Sequence, residues 1–371
     1  MRFVIFSHSL VSDWNHGNAH FLRGIATDLA GRGHLVRIYE PEDGWSRRNL
    51  IDNHGSEAIA DFERVYPLIR STLYREHELD LNEALREADV VLVHEWNSHE
   101  LVRRIGLHHR AHPSYKLYFH DTHHRSATVP DSMSAYQLGD YDGVLAYGET
   151  IRRLYQTHGW AERAWTWHEA ADTAVFRPLN QGPPTGDLVW IGNWGDDERT
   201  EELREFLIRP VKALGLKATV YGVRYPEQAL RELEWAGIEY GGWLPNYRAP
   251  AVFAQYRLTV HVPRRPYVKA LPGIPTIRPF EALACGIPLI SAPWEDREQL
   301  FRTGRDFLFA ANGAEMIRQM ERLLANPDQR RRQAADGLET IRSRHTCGHR
   351  VDQLMEIAGT RRQTAGHGGN D

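Results

Sequence analysis

Cysteine is scarce in this chain, because 371 residues contain only Cys285 and Cys347, which lie far apart. They form neither a disulfide framework nor a set with metal-ligand spacing, so we expect a protein of the reducing cytoplasm. Long apolar runs are also missing, since no segment approaches the ~18–20 residues of a membrane-spanning helix. The opening segment MRFVIFSHSL is too short and too polar at its end for an export signal. A peripheral membrane contact stays open.

Neither sign of charge is in excess, since the formal net charge is only −4. We therefore expect no general affinity for nucleic acid or anionic membranes. Apolar residues make up 42% and charged residues 25%, which is typical of a globular protein, and the length allows two domains with buried cores. The nicotinamide-dinucleotide fingerprint GxGxxG is absent, and no Asp-x-Asp metal motif stands out.

Short β-rich apolar runs alternate with longer helical segments. Strands are predicted at 2–7, 34–39, 89–94, 116–120 and 143–147, and in a second series at 187–192, 217–222, 238–242, 257–262 and 287–292. Helix-period segments such as 18–31, 58–74 and 98–108 lie between them. This alternation favours parallel sheets covered on both faces. Two series predict an α/β protein with two Rossmann-like doubly wound domains, whose strand ends face each other across a ligand cleft.

The boundary between the domains is predicted in the stretch 172–186. This stretch, within ADTAVFRPLNQGPPTGD, loses periodicity and is rich in Pro and Gly, as linkers often are. We therefore divide the chain into an N-terminal domain, 1–176, and a C-terminal domain, 177–347. The small polar residues of the tail, 360–371, predict disorder.

The segment PTIRPFEALACGIPLIS, residues 275–291, combines a helix start with charged residues. Pro279 suits the first helical position, and the free N–H groups near 276–280 can hold an anion. Arg278 adds a guanidinium whose paired N–H donors suit a phosphate. Glu281, expected in the first turn, offers two acceptor oxygens to the diol of a ribose. Phosphate plus ribose indicates a nucleotide. The alternative is that Glu281 only favours the helix dipole and that Arg278 pairs with a nearby acid.

The loop after the first strand carries His16, Gly17 and Asn18. Gly17 permits a close approach of the backbone to a ligand at a helix start. The loop is equally typical of an ordinary strand-to-helix turn, so both interpretations stay open.

The stretch YFHDTHHR places His120 and Asp121 at the C-terminal end of a predicted strand, where the catalytic groups of α/β folds gather. Three interpretations stay open for His120: contact with a substrate, a purely structural histidine, or a metal ligand. No second ligand cluster at recognisable spacing accompanies it, which disfavours the metal.

Four segments resemble the GT-B glycosyltransferases, in particular the CgeB-like branch, which is similar to the family-four retaining enzymes. They are WNHGNAHFLRGIATDLAGRGHLVRIYEPE, EAADTAVFRPL, VWIGNWGDDERTEEL and IRPFEALACGIPLISAPWEDREQLFRTGRDFLFA. The resemblance implies an acceptor domain followed by a nucleotide-sugar donor domain. It also implies that the last helix, about 348–360, packs back on the first domain.

The resemblance further implies roles for matching residues. His120, Arg199 and Glu281 are expected to be catalytic, with His120 beside the transferred sugar. The expected donor-binding set is Gly17, Asn193, Arg199, Tyr221, Gly222, Trp243, Leu244, Gly273, Thr276, Ile277, Arg278 and Glu281. The expected acceptor-side set is His16, Asn18, Trp96 and Asp121.

One departure concerns Gly273, which stands where family-four enzymes usually carry a second Glu. The expected activity is transfer of a sugar, of hexosyl type, from a nucleoside-diphosphate sugar to an acceptor hydroxyl, with retention and without metal or other cofactor. The acceptor is a saccharide, glycolipid or small molecule. A nucleotide-sugar epimerase and a non-catalytic sugar-nucleotide-binding protein are the alternatives. The base, the sugar, the stereochemical outcome and the oligomeric state do not follow from the sequence.

Overall fold

The structure, a computed structural model, describes residues 1–359, so the predicted disorder of 360–371 lies outside the described residues. Within the described part, the chain forms two parallel sheets, each with helices on both faces. The predicted α/β class with two Rossmann-like domains is confirmed. No helix of this part is both long and apolar enough to span a bilayer.

The first sheet has seven strands in the order β3-β2-β1-β4-β5-β6-β7. Their bounds are β1 (Arg2–Phe6), β2 (Leu35–Pro41), β3 (Ser71–Tyr74), β4 (Val90–His94), β5 (Lys116–Asp121), β6 (Gly143–Ala146) and β7 (Ala164–Thr166). In the centre, Ile5 pairs with Ile38 on one side and with Leu92 on the other. These strands read as continuous apolar runs because helices cover both of their faces.

The helices around the first sheet are α1 (Ala19–Gly31), α2 (Trp45–His54), α3 (Glu57–Val65), α4 (Leu81–Ala84), α5 (His99–Ala111), α6 (Arg125–Thr128), α7 (Pro130–Ser134) and α8 (Glu149–Thr157). A 3₁₀ turn, Glu76–Glu78, precedes α4. The longest of them, α1 and α5, agree with the predicted segments 18–31 and 98–108.

The second sheet has six strands in the order β10-β9-β8-β11-β12-β13. Their bounds are β8 (Gly186–Ile191), β9 (Ala218–Tyr221), β10 (Ile238–Tyr240), β11 (Tyr256–His261), β12 (Leu289–Ser291) and β13 (Leu308–Phe309). In both sheets the strand order reverses beside the first strand of the domain, which leaves a crevice at the C-terminal strand ends.

The helices of the second half are α9 (Thr200–Leu203), α10 (Arg209–Leu214), α11 (Glu227–Ala236), α12 (Ala249–Phe253), α13 (Arg265–Ala270), α14 (Ile277–Ala284), α15 (Gly313–Ala325), α16 (Pro327–Arg344) and α17 (Cys347–Ile357). A π-helical turn, Arg204–Ile208, joins α9 to α10, and 3₁₀ turns occupy Asp196–Glu198 and Asn246–Arg248.

The final helix, α17, packs against α1 of the first domain. Arg32 donates to Asp352 at 2.6 Å, and the Cys347 thiol lies against the α1 backbone at Phe21. A backbone bridge also pairs Ala171 with Thr346. The chain therefore crosses between the domains twice, and the two crossings lie side by side.

The structure corrects some predicted elements. The expected helix 58–74 ends at Val65, and its last residues form β3 at the edge of the sheet. The short edge strands β7 and β13 were not predicted, because runs of two or three residues carry no periodicity. The last helix begins at Cys347, one residue before the start expected at about 348.

Candidate active site

A cleft of about 510 Å³ lies between the two domains. Its N-terminal wall is built by residues that follow β1, β2, β4, β5 and β6, and its C-terminal wall by residues that follow β8, β9 and β11 and by the start of α14. The connection between the domains contributes Glu169. The cleft thus occupies the position that the strand ends of two facing α/β sheets predict.

Arg199 is the central cation of the C-terminal wall. Its guanidinium donates to the backbone carbonyls of Trp194, Asn193 and Val262, and it lies 5.0 Å from the ring centroid of Trp190. Among the described residues, Arg199 has no carboxylate within ion-pair distance. Burial lowers the pKa of Arg199 to about 9, and the charge of Arg264 adds to this effect. The side chain stays cationic at neutral pH and faces the cleft without an acidic partner.

Three further arginines line the same wall, and each has an acidic partner. Arg264 pairs with Glu198 at 3.2 Å, and Arg224 pairs with Asp196 at 3.0 Å. Arg278 pairs with Glu281 within its own helix. The uncompensated positive charge of this wall therefore rests on Arg199, and it suits an anion.

The helix α14 begins earlier than the sequence predicted. Thr276 is its N-cap residue, Ile277 is the first helical position, and Pro279 is the third. Proline is tolerated there because the first N–H groups have no partner within the helix. Within residues 1–359, no side chain caps this end, and residues 276–278 line the cleft. The free N–H groups of the first turn are thus available to a ligand.

Glu281, expected in the first turn, falls in the second, and its side chain is fully buried behind the cleft wall. Its carboxylate accepts hydrogen bonds from Arg278 and, at 2.6 Å, from Asn246 of the C-terminal domain. His20 Nδ1 of the N-terminal domain lies 3.3 Å away. One part of the alternative interpretation, the pairing of Arg278 with an acid, is thus present, and the ribose-binding role of Glu281 stays a prediction. A ribose could reach Glu281 only after these contacts rearrange.

The N-terminal wall is aromatic and uncharged. It presents His8, His16 and His123 together with Trp45 and Trp96, which are 39% and 37% exposed. Burial is the main reason that the pKa of His8 falls to about 3 and that of His123 to about 2. These imidazoles are neutral at physiological pH, so this wall offers hydrogen bonds and ring faces.

His120 and Asp121 do not line the cleft. His120 is buried behind the wall against His94, Phe21 and Trp167, and burial lowers its pKa to about 3. The Asp121 carboxylate is fully buried and accepts a hydrogen bond from Tyr155 at 2.9 Å. β5 ends at Asp121, so the position that reaches the cleft is His123, two residues beyond.

Four residues of the expected donor-binding set, which the resemblance places beside the base, lie outside the cleft lining: Tyr221, Gly222, Trp243 and Leu244. Trp243 donates from Nε1 to Asp13 across the domain interface at 3.2 Å, and it stacks on His54 with centroids 4.2 Å apart. Leu244 packs against a hydrophobic core that both domains share.

Gly273 is also outside the cleft lining, with φ +96, and a Cβ there would lie 3.2 Å from that of Arg297. A side chain at this position would be strained in the present backbone conformation.

The structure brings nine of the expected residues to the cleft and leaves eight outside it. Those that line it are His16, Gly17, Asn18, Trp96, Asn193, Arg199, Thr276, Ile277 and Arg278. Those that do not are His120, Asp121, Tyr221, Gly222, Trp243, Leu244, Gly273 and Glu281. Asn193 also joins the domains, since it donates to Asn15 in the loop after β1.

Sequence reasoning missed Arg264, His123 and Glu169 as cleft residues. A signal existed for Arg264, because it follows β11 directly and strand ends of this kind gather ligand-binding groups. No such signal marks Glu169, which lies in an irregular connection. Within the described part of the chain, no group of three or more His, Cys, Asp or Glu side chains is placed to hold a metal ion.

Part of the chain is similar to a known protein family. Residues 199–356 match the family described as Glycosyl transferase-like. The comparison with curated protein sequences finds no match.

Several solved structures share the whole architecture. Sucrose-phosphate synthase from Thermosynechococcus elongatus is 12% identical and superposes with a TM-score of 0.66 over 96% of this chain and 98% of that one. Anabaena HepE in complex with UDP and glucose is 13% identical, with a TM-score of 0.68 over 97% and 100%. A mutant form of T4 phage BGT in complex with UDP-glucose is 13% identical, with a TM-score of 0.63 over 96% and 99%.

These structures establish the GT-B fold. The family match covers much of the second domain and the returning helix. Together they confirm the class that the sequence motifs predicted, a glycosyltransferase of the GT-B fold. The narrower assignment to the CgeB-like branch stays a prediction.

Proposed function

We propose that the chain transfers a sugar from a nucleoside-diphosphate sugar to an acceptor hydroxyl. The observation that carries this proposal is Arg199, a buried cation that faces the cleft and is held only by carbonyl groups. A diphosphate supplies the negative charge that this cation lacks. UDP or UDP-glucose is bound in two of the structures that share the fold, which supports a nucleotide-sugar donor.

In the proposed mechanism, the C-terminal wall stabilises the leaving group. Negative charge develops on the diphosphate as the glycosidic bond breaks. Arg199, Arg264 and the free N–H groups at the start of α14 are the groups that can meet this charge where it develops. The neutral N-terminal wall then holds the acceptor, and closure of the domains excludes water.

Finer features of the reaction belong to the same proposal. We propose retention of configuration, hexosyl transfer, and transfer without a metal, since cationic side chains can neutralise the diphosphate. Both cysteines are free and buried, which suits the reducing cytoplasm. NMR of the anomeric proton in the first product determines the stereochemistry, and an assay with EDTA followed by added Mg²⁺ determines the metal requirement.

The decisive experiment is a ligand screen by thermal shift. UDP, GDP, UDP-glucose and GDP-mannose are tested from about 1 μM to about 1 mM, the range of typical substrate constants, with UMP as the control that lacks the second phosphate. A donor at about 100 times its Kd should stabilise the protein by about 2.7 kcal/mol through mass action. No shift with any diphosphate would contradict the proposed donor class.

Product analysis separates the alternatives. An epimerase converts the bound nucleotide sugar without an acceptor, whereas a transferase needs an acceptor to release the nucleoside diphosphate at full rate. A non-catalytic binding protein shows the thermal shift and no product in either case. We expect release of the diphosphate to depend on the acceptor.

A further inference from the structure

Glu169 lies at the floor of the cleft, in the connection between β7 and the bridge that pairs Ala171 with Thr346. The residue is only 5% exposed, and among residues 1–359 its Oε2 atom has no hydrogen-bond partner. The connection joins the two domains, and this carboxyl lines the same cleft as the arginines and the histidines.

A buried carboxyl oxygen without a hydrogen-bond partner is energetically unfavourable. Transfer of a polar group from water without a compensating hydrogen bond costs about 1–3 kcal/mol in proteins. Another buried acid shows the usual solution, since Glu40 accepts hydrogen bonds from the backbone N–H groups of Leu10 and Val11. Burial and the nearby charge of Glu281 raise the pKa of Glu169 well above its ordinary value. The cleft thus contains a buried carboxyl whose Oε2 atom has no hydrogen-bond partner among the described residues.

The cleft residues that interact with the Glu169 carboxyl, Tyr147 and Tyr267, are uncharged, and their hydroxyls interact with each other. The charged Arg350 and Glu281 also lie near Glu169, but they do not line the cleft. His123 lines the cleft as well, and among residues 1–359 its Nδ1 is buried without a partner. Tyr267, from α13 of the C-terminal domain, interacts electrostatically with Glu169, and its ring lies 6.3 Å from that of His123 and 6.5 Å from that of Tyr147. Residues of both domains therefore surround the carboxyl.

This surrounding suits a polyol. A sugar presents several hydroxyl groups that each donate and accept a hydrogen bond, and a carboxyl can receive two of them at once. A phosphate does not suit the position, because it would face an acid and neutral rings instead of the arginines.

We propose that Glu169 binds hydroxyl groups of the transferred sugar, with Tyr147 and His123 as its neighbours in the same subsite. The proposal rests on the proposed function, because it requires a donor that carries a sugar. The donor sugar is favoured over the acceptor because Tyr267 belongs to the C-terminal domain and because this domain's α14 wall, where the diphosphate is placed, lines the same cleft.

The test compares each nucleotide with its sugar conjugate. Glu169→Ala and Glu169→Gln are titrated by calorimetry with UDP, UDP-glucose, GDP and GDP-mannose, and Glu162→Gln, an exposed residue of the same region, is the matched control. We expect Glu169→Ala to weaken the sugar conjugate about tenfold or more while the Kd of the free diphosphate changes less than about twofold. Glu169→Gln, which keeps one acceptor, should fall between Ala and the wild type.

A second readout separates binding from a structural role. If Glu169 serves only the fold, its truncation lowers Tm, whereas removal of an unsatisfied buried carboxyl should leave Tm unchanged or raise it. Equal losses for the diphosphate and its sugar conjugate, or no loss for either, would overturn the assignment of Glu169. Failure of the wild type to bind any of the four nucleotides would instead overturn the proposed donor, and with it the basis of this inference.

Discussion

The two walls of the cleft differ in how their polar groups are satisfied. On the C-terminal wall, Arg224, Arg264 and Arg278 have acidic partners, and Arg199 is held by three carbonyls. On the N-terminal wall and the connection, buried polar atoms without partners recur among the described residues, at His8, His16, Asn18, His123 and Glu169. The C-terminal wall is thus preorganised around one unpaired cation, Arg199, whereas the polar groups opposite it have unused hydrogen-bonding capacity.

This difference indicates how one cleft can bind two kinds of chemical group with separate sets of side chains. A diphosphate needs preorganised charge, and the arginine wall supplies it without rearrangement. Sugar hydroxyls need donors and acceptors at short range, and the imidazole wall supplies those. Specificity for the sugar and the acceptor should therefore reside mainly in the N-terminal domain, and affinity for the nucleotide in the C-terminal domain.

The largest effect is expected from Glu281→Ala, which removes the acid behind the arginine wall. Arg278 would then be left partly buried without its partner, and broken buried pairs destabilise by about 3–5 kcal/mol. Denaturant unfolding followed by tryptophan fluorescence measures this loss. Glu100→Ala, which removes an exposed partner of Arg103, is the control and should leave the midpoint nearly unchanged.

Calorimetry with UDP completes the Glu281 experiment. A Kd that rises while stability stays at the control level would contradict a structural role, and it would favour direct contact of Glu281 with the ribose. In that case the arginine wall would not be preformed, and the contrast between the walls would weaken.

The next effect is expected from Arg199→Ala, which removes the cleft arginine that has no acidic partner among the described residues. Loss of a group that meets developing charge typically lowers kcat by about 10²–10³, or about 2.7–4 kcal/mol. Steady-state kinetics with the donor from the ligand screen measures it. Arg199→Lys keeps the positive charge but lacks the several N–H donors of the guanidinium, so it should retain only part of the activity.

Arg224→Ala is the matched control for Arg199, because Arg224 lines the same wall and its partner Asp196 is exposed. A loss for Arg224→Ala as large as that for Arg199→Ala would show that the field of the whole wall matters more than the unpaired cation.

The sequence predicted the fold well because long apolar strands and helices leave periodic patterns. The start of α14 and Arg278 were predicted from local residues, because a helix start is a local feature, and Arg199 was expected from the family resemblance; all three lie at one cleft. His120 and Glu281 lie behind the cleft wall, because β5 runs one residue further and α14 begins two residues earlier than predicted. Glu169 was missed because its burial depends on the packing of both domains around an irregular connection.

A smaller effect is expected for the pH dependence of stability. It is tested at His120, a neutral histidine that is buried behind the N-terminal wall of the cleft. The folded pKa is about 3, and the ordinary value is 6.5. Below pH 6.5 the unfolded chain gains a proton that the folded chain does not bind, so stability falls as the pH drops from 6.5 towards 3. Between about pH 7 and about pH 5 this contribution is about 2 kcal/mol.

The measurement compares the free energy of unfolding of the wild type and His120→Asn at about pH 7 and about pH 5. The wild type should lose about 2 kcal/mol more than the variant. Carboxyls with a raised pKa, such as that of Glu40, act in the opposite direction, but both proteins contain them and they cancel in the difference. The exposed control His112→Asn should follow the wild type, and equal losses for all three proteins would contradict a neutral buried His120.

The smallest effect is expected from Trp45→Ala on the acceptor side. Trp45 is half-buried at the cleft, with His8 stacked 6.1 Å away and Trp14 packed edge-on at 5.7 Å, so one face can receive an acceptor ring. Loss of an aromatic contact of this kind is worth about 0.5–1.5 kcal/mol, which should raise the KM of the acceptor about two- to tenfold and leave the KM of the donor unchanged. Trp235→Ala, an exposed tryptophan on α11 outside the cleft lining, should change neither constant. An increase in the donor KM alone would mean that the two walls do not divide the substrates between them.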